Sequence, residues 1–69
     1  MKLSELLGVM NGDTVIKVVD ARSIACFHGE ASIAGEEIAK WYKSATVVLV
    51  YPEYYKGWGK TGITIIVKP

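Results

Sequence analysis

The sequence predicts a single α+β domain over residues 1–69, with the element order α-β-β-α-β-β. Of its 69 residues 51% are hydrophobic and the net charge is only +1, a composition that suits one small folded domain and excludes a disordered chain. Two segments have apolar residues at helical spacing, and four are rich in strand-forming residues. We therefore expect one mostly antiparallel four-stranded sheet with two short helices packed on it.

The first half of the chain predicts a short helix followed by a β-hairpin. Apolar residues recur at helical spacing up to Asn11-Gly12, a pair that is typical of a helix end. The β-branched run 14–19 predicts the first strand. A polar turn over 20–23 leads to a second strand at 24–28, which the pair Gly29-Glu30 is expected to end. The apolar positions of the helix are Leu3, Leu6, Leu7 and Met10.

The second half predicts one longer helix and two strong strands. Ser32 can cap a helix whose apolar residues again follow helical spacing. The runs 46–51 and 63–68 are rich in valine and isoleucine and predict the third and fourth strands. The loop 52–62 is expected to join them. The apolar positions of the helix are Ala34, Ile38, Trp41, Tyr42 and Ala45.

The last two predicted strands are apolar on both faces. Residues that alternate along a strand point to opposite sides of the sheet, yet neither set in the run 47–51 is polar. We expect part of the second face to be buried against another copy of the chain or a partner, with a homodimer favoured. The alternative is that the two helices lie on opposite faces. The residues expected at the self-association face are Val48, Val50 and Ile66.

The segment 51–60 holds the densest aromatic cluster of the chain. It contains four of the seven aromatic residues, with lysines and glycines interleaved. Tyrosine and tryptophan are enriched at interaction hot spots, so this segment predicts a recognition loop. The alternative is that two or three of the rings fold back over the sheet edge as core. The residues of the predicted interaction loop are Tyr51, Tyr54, Tyr55, Lys56, Trp58 and Lys60.

The distribution of charge favours a protein partner for this loop. Residues 1–39 carry six acidic and three basic side chains, a net charge of −3, whereas residues 40–69 carry five lysines and one glutamate, a net charge of +4. Lysines beside aromatic rings could also bind single-stranded nucleic acid or a nucleotide. Because the whole chain has a net charge of only +1, that remains the second hypothesis.

No motif of the sequence predicts catalysis, a cofactor or a metal. Cys26 and His28 are two apart on a predicted strand and could face the same way as a nucleophile pair, but two residues are too few for a metal site. Gly59-Lys60-Thr61 resembles the end of a phosphate-binding loop, yet the earlier glycine of that motif is absent and a strand follows instead of a helix. We therefore expect a protein that is not an enzyme.

No segment predicts a membrane anchor or an export signal. The longest apolar run, 45–51, is far shorter than the roughly 20 residues that span a bilayer. The chain has one cysteine, which excludes an internal disulfide and fits a reducing compartment. We therefore expect a cytoplasmic protein that does not associate with membranes.

The pattern of the chain resembles short accessory proteins of unknown function carried by bacterial phages and prophages. The resemblance rests on the opening residues 1–7, the stretch 11–16 and the terminal strand 65–67. It covers most of the chain as a pattern and includes no catalytic motif. It implies a non-enzymatic protein that binds a host or phage factor, with inhibition of a bacterial defence system as one form of that activity.

Overall fold

The computed structural model describes residues 1–22, 24–38 and 40–68, which form two α-helices, one 3₁₀ segment and four β-strands. The predicted order of helices and strands is confirmed. The predicted turn residue Ser23 and the side chain of Trp41 lie outside the described part of the chain. The elements are α1 (Leu3–Leu7), β1 (Val15–Asp20), β2 (Ala25–Glu30), α2 (Ala31–Glu37), the 3₁₀ segment (Lys40–Ser44), β3 (Thr46–Tyr55) and β4 (Lys60–Lys68).

The four strands form one sheet in the order β2-β1-β4-β3. The β1–β2 and β3–β4 pairs are antiparallel, but β1 and β4 are parallel neighbours at its centre. The α+β class is confirmed, whereas the sheet is mixed and not mostly antiparallel as expected. The difference arises because the chain crosses the sheet through α2 and the 3₁₀ segment before β3, so that β4 returns beside β1 in the same direction.

One face of the sheet, which we call the helix face, carries the main core. Side chains alternate between faces along a strand, and the register places Ile16, Val18, Ile65 and Val67 together on this side, all fully buried. Burying one such side chain contributes about 1.5–3 kcal/mol. Each described helical segment contributes residues to the hydrophobic core on this face. The opposite face of the sheet, which we call the open face, has no described helix on it. The core residues in these helical segments or directly after them are Leu3, Ala34, Ile38, Tyr42 and Ala45.

The predicted boundaries of β2 and of the second helix were wrong. Strand β2 continues through Gly29 and Glu30, because Gly29 pairs with Ile16 and leaves room for the ring of Phe27. The second helix begins at Ala31 and ends at Glu37, and the chain then continues as the 3₁₀ segment. The apolar spacing still indicated the buried positions, since the last helical residues of the prediction lie in the core although the α-helix has ended.

The N-terminal residues close the first part of the outer edge of β3. The Leu3 N–H donates to the Ala45 carbonyl at 2.9 Å, and the Val47 N–H donates to the Met1 carbonyl at 2.8 Å. Glu5 fixes this segment, since its carboxylate accepts a hydrogen bond from the Lys2 backbone N–H at 2.8 Å. The outer edge of β3 can therefore accept a strand partner, and the chain provides one up to Val47.

A buried carboxylate joins the end of β1 to the 3₁₀ segment. Asp20 is 1% exposed and accepts hydrogen bonds from the Tyr42 hydroxyl at 2.8 Å and from the Arg22 backbone N–H at 2.8 Å. The Arg22 guanidinium donates to both carboxylate oxygens, at 3.1 and 2.9 Å. These bonds, those from Arg22 foremost, hold the pKa of Asp20 well below its usual range. The hydrogen bond to Asp20, together with burial of the ring, raises the pKa of Tyr42 to about 12.

Candidate functional site

The predicted recognition loop 52–62 is in fact the end of a β-hairpin. Strand β3 continues to Tyr55 and β4 begins at Lys60, so only the turn 56–59 is irregular. Gly59 has a φ of 63°, the left-handed region that a glycine adopts without strain. The pairing between β1 and β4 begins with Ile16 and Ile63, whereas the pairing between β3 and β4 continues to Tyr55 and Lys60. The end of the hairpin therefore extends past the paired part of the two central strands.

Tyr55 anchors this hairpin end to the open face. It is 5% exposed, and its ring occupies the space that Gly62 leaves on β4. Its hydroxyl lies 2.7 Å from the Thr64 hydroxyl, which donates to the Glu53 carboxylate at 2.6 Å. Lys17 forms an ion pair with Glu53 at 3.7 Å, and its ammonium lies 5.7 Å from the centre of the Tyr55 ring. Tyr55 is therefore a packed residue, not an accessible one.

His28, on the opposite edge strand β2, contacts the turn on the same open face. The centre of its ring lies 4.6 Å from the centre of the Tyr55 ring, in an edge-to-face arrangement, and 5.6 Å from the ring centre of Trp58. The N–H groups of Trp58 and Gly59 both donate to the Tyr55 carbonyl, at 3.0 and 2.9 Å. No local pattern of the sequence connected His28 with this site, because β2 and the turn are brought together only by the sheet.

We expect Tyr55→Phe to lower the free energy of unfolding by about 1 kcal/mol, because the buried Thr64 hydroxyl loses its hydrogen bond with the Tyr55 hydroxyl. The matched control is Tyr54→Phe at the exposed neighbouring position, which should stay within about 0.5 kcal/mol of the wild type. Urea unfolding followed by circular dichroism measures both. Equal effects of the two substitutions would contradict the assignment of Tyr55 as the anchor.

The other residues at the end of the hairpin remain accessible. Tyr54 is 61% and Trp58 43% exposed. Tyr54 and Tyr55 are adjacent on β3 and so point to opposite faces, whereas Trp58 lies against His28 on the open face. One aromatic ring therefore lies on each side of the hairpin. We call the exposed residues the hairpin tip, which consists of Tyr54, Lys56, Trp58 and Lys60.

The middle of β3 is exposed, but its residues do not form the single face that was expected. Val47 pairs with Val67 and the next pair is Leu49 with Ile66, so Val48 is an extra residue in a bulge. The bulge reverses the alternation, and Val50, paired with Ile65, lies on the helix face. Ile66 lies on the open face with Leu49 and Tyr51. The expectation that Val48, Val50 and Ile66 share one surface was therefore wrong.

An apolar row crosses the whole open face at this level of the sheet. The register aligns Ala25 with Val19, Val19 with Ile66, and Ile66 with Leu49, one residue from each strand. Ala25 and Leu49 at the two ends are exposed, and Val19 and Ile66 are partly exposed. Since the described helices all pack on the other face, the alternative of helices on opposite faces does not account for the apolar residues of this row.

The remaining sequence candidates do not form a site. Cys26 lies in a bulge of β2 and packs against the helix-face core, whereas His28 points to the open face, so the two do not form a pair. Among the residues that the structure describes, no three histidine, cysteine or acidic side chains lie close enough to hold a metal ion. No helix within these same residues combines the length and the apolar character needed to cross a membrane.

Comparisons with known proteins found no match to this chain. No family model, no curated protein and no solved structure matches it. Its function is therefore inferred from the residues and their geometry.

Proposed function

We propose that this chain is a small, non-catalytic protein-binding module that engages its partner through the hairpin tip. The observation that supports the proposal is the pair of exposed aromatic rings, Tyr54 and Trp58. They lie at the end of a hairpin that extends past the paired part of the two central strands. Tyrosine and tryptophan provide large contact areas with few rotatable bonds, which is why they dominate binding energy at protein interfaces.

The tip is held in place before any partner binds. Tyr55 is buried beside the tip, and Trp58 is in contact with the His28 ring. A recognition surface that is already ordered loses less conformational entropy on binding than a flexible loop of the same composition. This anchoring supports a rigid recognition surface at the tip.

The arrangement of the tip indicates the kind of surface it fits. Tyr54 and Trp58 lie on opposite sides of the hairpin, and two exposed lysines lie close to them, Lys56 as the first residue of the turn and Lys60 directly after it. A hairpin with an apolar ring on each side fits a groove better than a flat surface. The two lysines favour a groove with acidic residues along its rim, since complementary charges guide association.

Nucleic acid is the less favoured partner because few positive charges accompany the rings. Lys17, on the open face beside Tyr55, is already paired with Glu53. The tip itself has only the two lysines Lys56 and Lys60, whereas proteins that bind single strands combine base stacking with a basic groove that follows the nucleic-acid backbone.

The proposed protein-binding role agrees with the resemblance to phage and prophage accessory proteins, which implies a protein that binds a host or phage factor.

Photo-crosslinking tests the proposal even while the partner is unidentified. A photoreactive phenylalanine analogue is placed at Tyr54, and at Ile24 as a control that is also exposed but remote from the tip. We expect a protein adduct from the Tyr54 position only. Trp58→Ala should weaken the binding of the identified protein by about 30-fold, the loss expected at an interface hot spot.

Two results would contradict the proposal. One is equal binding of the identified partner by the wild type and by Trp58→Ala, with folding confirmed by circular dichroism. The other is a salt-sensitive change in tryptophan fluorescence on titration with single-stranded oligonucleotides that is lost in Lys56→Gln and Lys60→Gln. That second result would assign the tip to nucleic acid instead.

A further inference from the structure

Strand β3 presents an outer edge that the described part of the chain leaves partly unpaired. The sheet has two edge strands, β2 and β3. The edge at β2 is six residues long and leads directly into α2, whereas β3 is ten residues long. Beyond Val47 no described residue pairs with the outer edge of β3. An exposed apolar edge of this kind is a template for pairing with another strand.

The backbone of Val50 points its N–H and C=O groups toward this edge. Val47 shows the direction, because its N–H donates outward to the Met1 carbonyl. The pairing partners of Val47 and Val50 are Val67 and Ile65, which lie two residues apart on β4. Pairs separated in this way have the same orientation in an antiparallel ladder. Val50 therefore offers one donor and one acceptor to a neighbouring strand.

Pro52 limits the free edge on its other side. It pairs with Ile63, two residues along β4 from Ile65, so its nitrogen also faces outward. A proline lacks the N–H that this position would offer, and such residues are typical of edge strands. The N-terminal segment covers the edge up to Val47, and Pro52 interrupts the donors after Tyr51. The stretch between them, Val48–Tyr51, is the unprotected part.

The side chains of this stretch are exposed on both faces of the sheet. Val50 on the helix face is 44% exposed, and Leu49 and Tyr51 on the open face are 52% and 38% exposed. A ligand bound to the open face alone would leave Val50 in water. A strand paired along the edge covers both faces at once, because its own side chains alternate between them.

We propose that a second copy of this chain pairs antiparallel with the β3 edge over Val48–Tyr51 and forms a continuous eight-stranded sheet across a two-fold axis. A half-buried strand from another protein usually carries polar residues on one face, so its apolar residues would pack against only one of the two exposed sets. The β3 strand of a second copy is apolar on both faces at these positions. Antiparallel pairing of two identical strands is self-complementary, as a two-fold dimer requires.

Analytical ultracentrifugation of charge variants tests this dimer. Val50→Lys and Leu49→Lys place a lysine on the edge from the helix face and from the open face respectively. Each should raise the dimer dissociation constant at least about 100-fold, since two-fold symmetry introduces the charge twice. Ile24→Lys, which changes a residue of similar exposure away from β3, and Trp58→Ala at the tip should both remain dimeric.

Amide hydrogen exchange of the wild type provides a test that needs no variant. The Val50 amide should exchange more slowly as the protein concentration rises, by about tenfold for each 100-fold increase above the dissociation constant, because the monomer fraction falls as the inverse square root of concentration. The amide of Val18 in the centre of the sheet serves as a reference, since it is paired within the monomer.

Two outcomes would overturn the second-copy interface. A wild type that stays monomeric at millimolar concentration excludes it and leaves the hairpin tip to be tested by its own partner. A dimer that Leu49→Lys dissociates and Val50→Lys does not, with both variants folded, would show that the open faces pack together and that the edges do not pair. Dissociation by both lysine variants, with no effect of Ile24→Lys, supports edge pairing.

Discussion

Gly62→Ala should destabilise the protein by about 3 kcal/mol, near the upper end of the usual cost of overpacking. A Cβ atom at position 62 would overlap the Val15 carbonyl and the ring of Tyr55. The carbonyl belongs to the β1 backbone and cannot rotate away, and the ring is held by the Thr64 hydroxyl. The substitution should therefore displace Tyr55 and separate its ring from His28.

Gly57→Ala is the matched control for this substitution. A Cβ at position 57 meets no atom within 4 Å. We expect its free energy of unfolding to stay within about 0.5 kcal/mol of the wild type. Urea unfolding measures both variants, and nuclear Overhauser contacts between the rings of His28 and Tyr55 report the position of the anchor. Similar stability of the two variants would show that Gly62 does not provide the space for Tyr55.

Asp20→Asn should make the free energy of unfolding depend much less on pH in the acidic range. Because the native hydrogen bonds lower the pKa of Asp20, its carboxylate stabilises the folded state at pH values above its unfolded pKa of about 3.9. That contribution is lost as the pH falls from about 4 toward the lower pKa of the folded state. The variant should have a lower urea midpoint at pH 7 and a smaller further decline between about pH 5 and about pH 2.

Asp13→Asn is the control, since Asp13 is an exposed aspartate before β1. It should retain the acid sensitivity of the wild type. The ultraviolet titration of the tyrosines gives an independent readout, because the pKa of Tyr42 is raised to about 12 chiefly by its hydrogen bond to Asp20. In Asp20→Asn this pKa should fall toward 10. An unchanged acid profile of the variant would contradict the role of the buried carboxylate.

Much of the candidate site could be located from local sequence patterns. Tyrosine, tryptophan and lysine cluster in 51–60, and this composition indicated a region that the structure places at one end of a hairpin. The pattern could not separate Tyr55 from Tyr54. That difference depends on Gly62, which lies on the facing strand and makes room for one ring only.

The self-association residues could not be predicted from alternation alone. A single extra residue, Val48, reverses the direction of every side chain that follows it on β3. The apolar character of 47–51 correctly identified an exposed apolar strand, but the assignment of Val50 and Ile66 to one face was wrong because of this bulge. A bulge depends on the register with the neighbouring strand, which local composition does not specify.

The sequence by itself determined the element types and their order, because helical spacing and β-branched runs are local properties of the chain. It also determined that β3 would be apolar on both faces. Only the tertiary structure decided that β4 would lie parallel to β1, that all described helical segments would pack on one face, and that His28 would meet Trp58. These contacts join residues distant in the sequence, and their geometry follows from strand register and chain crossing.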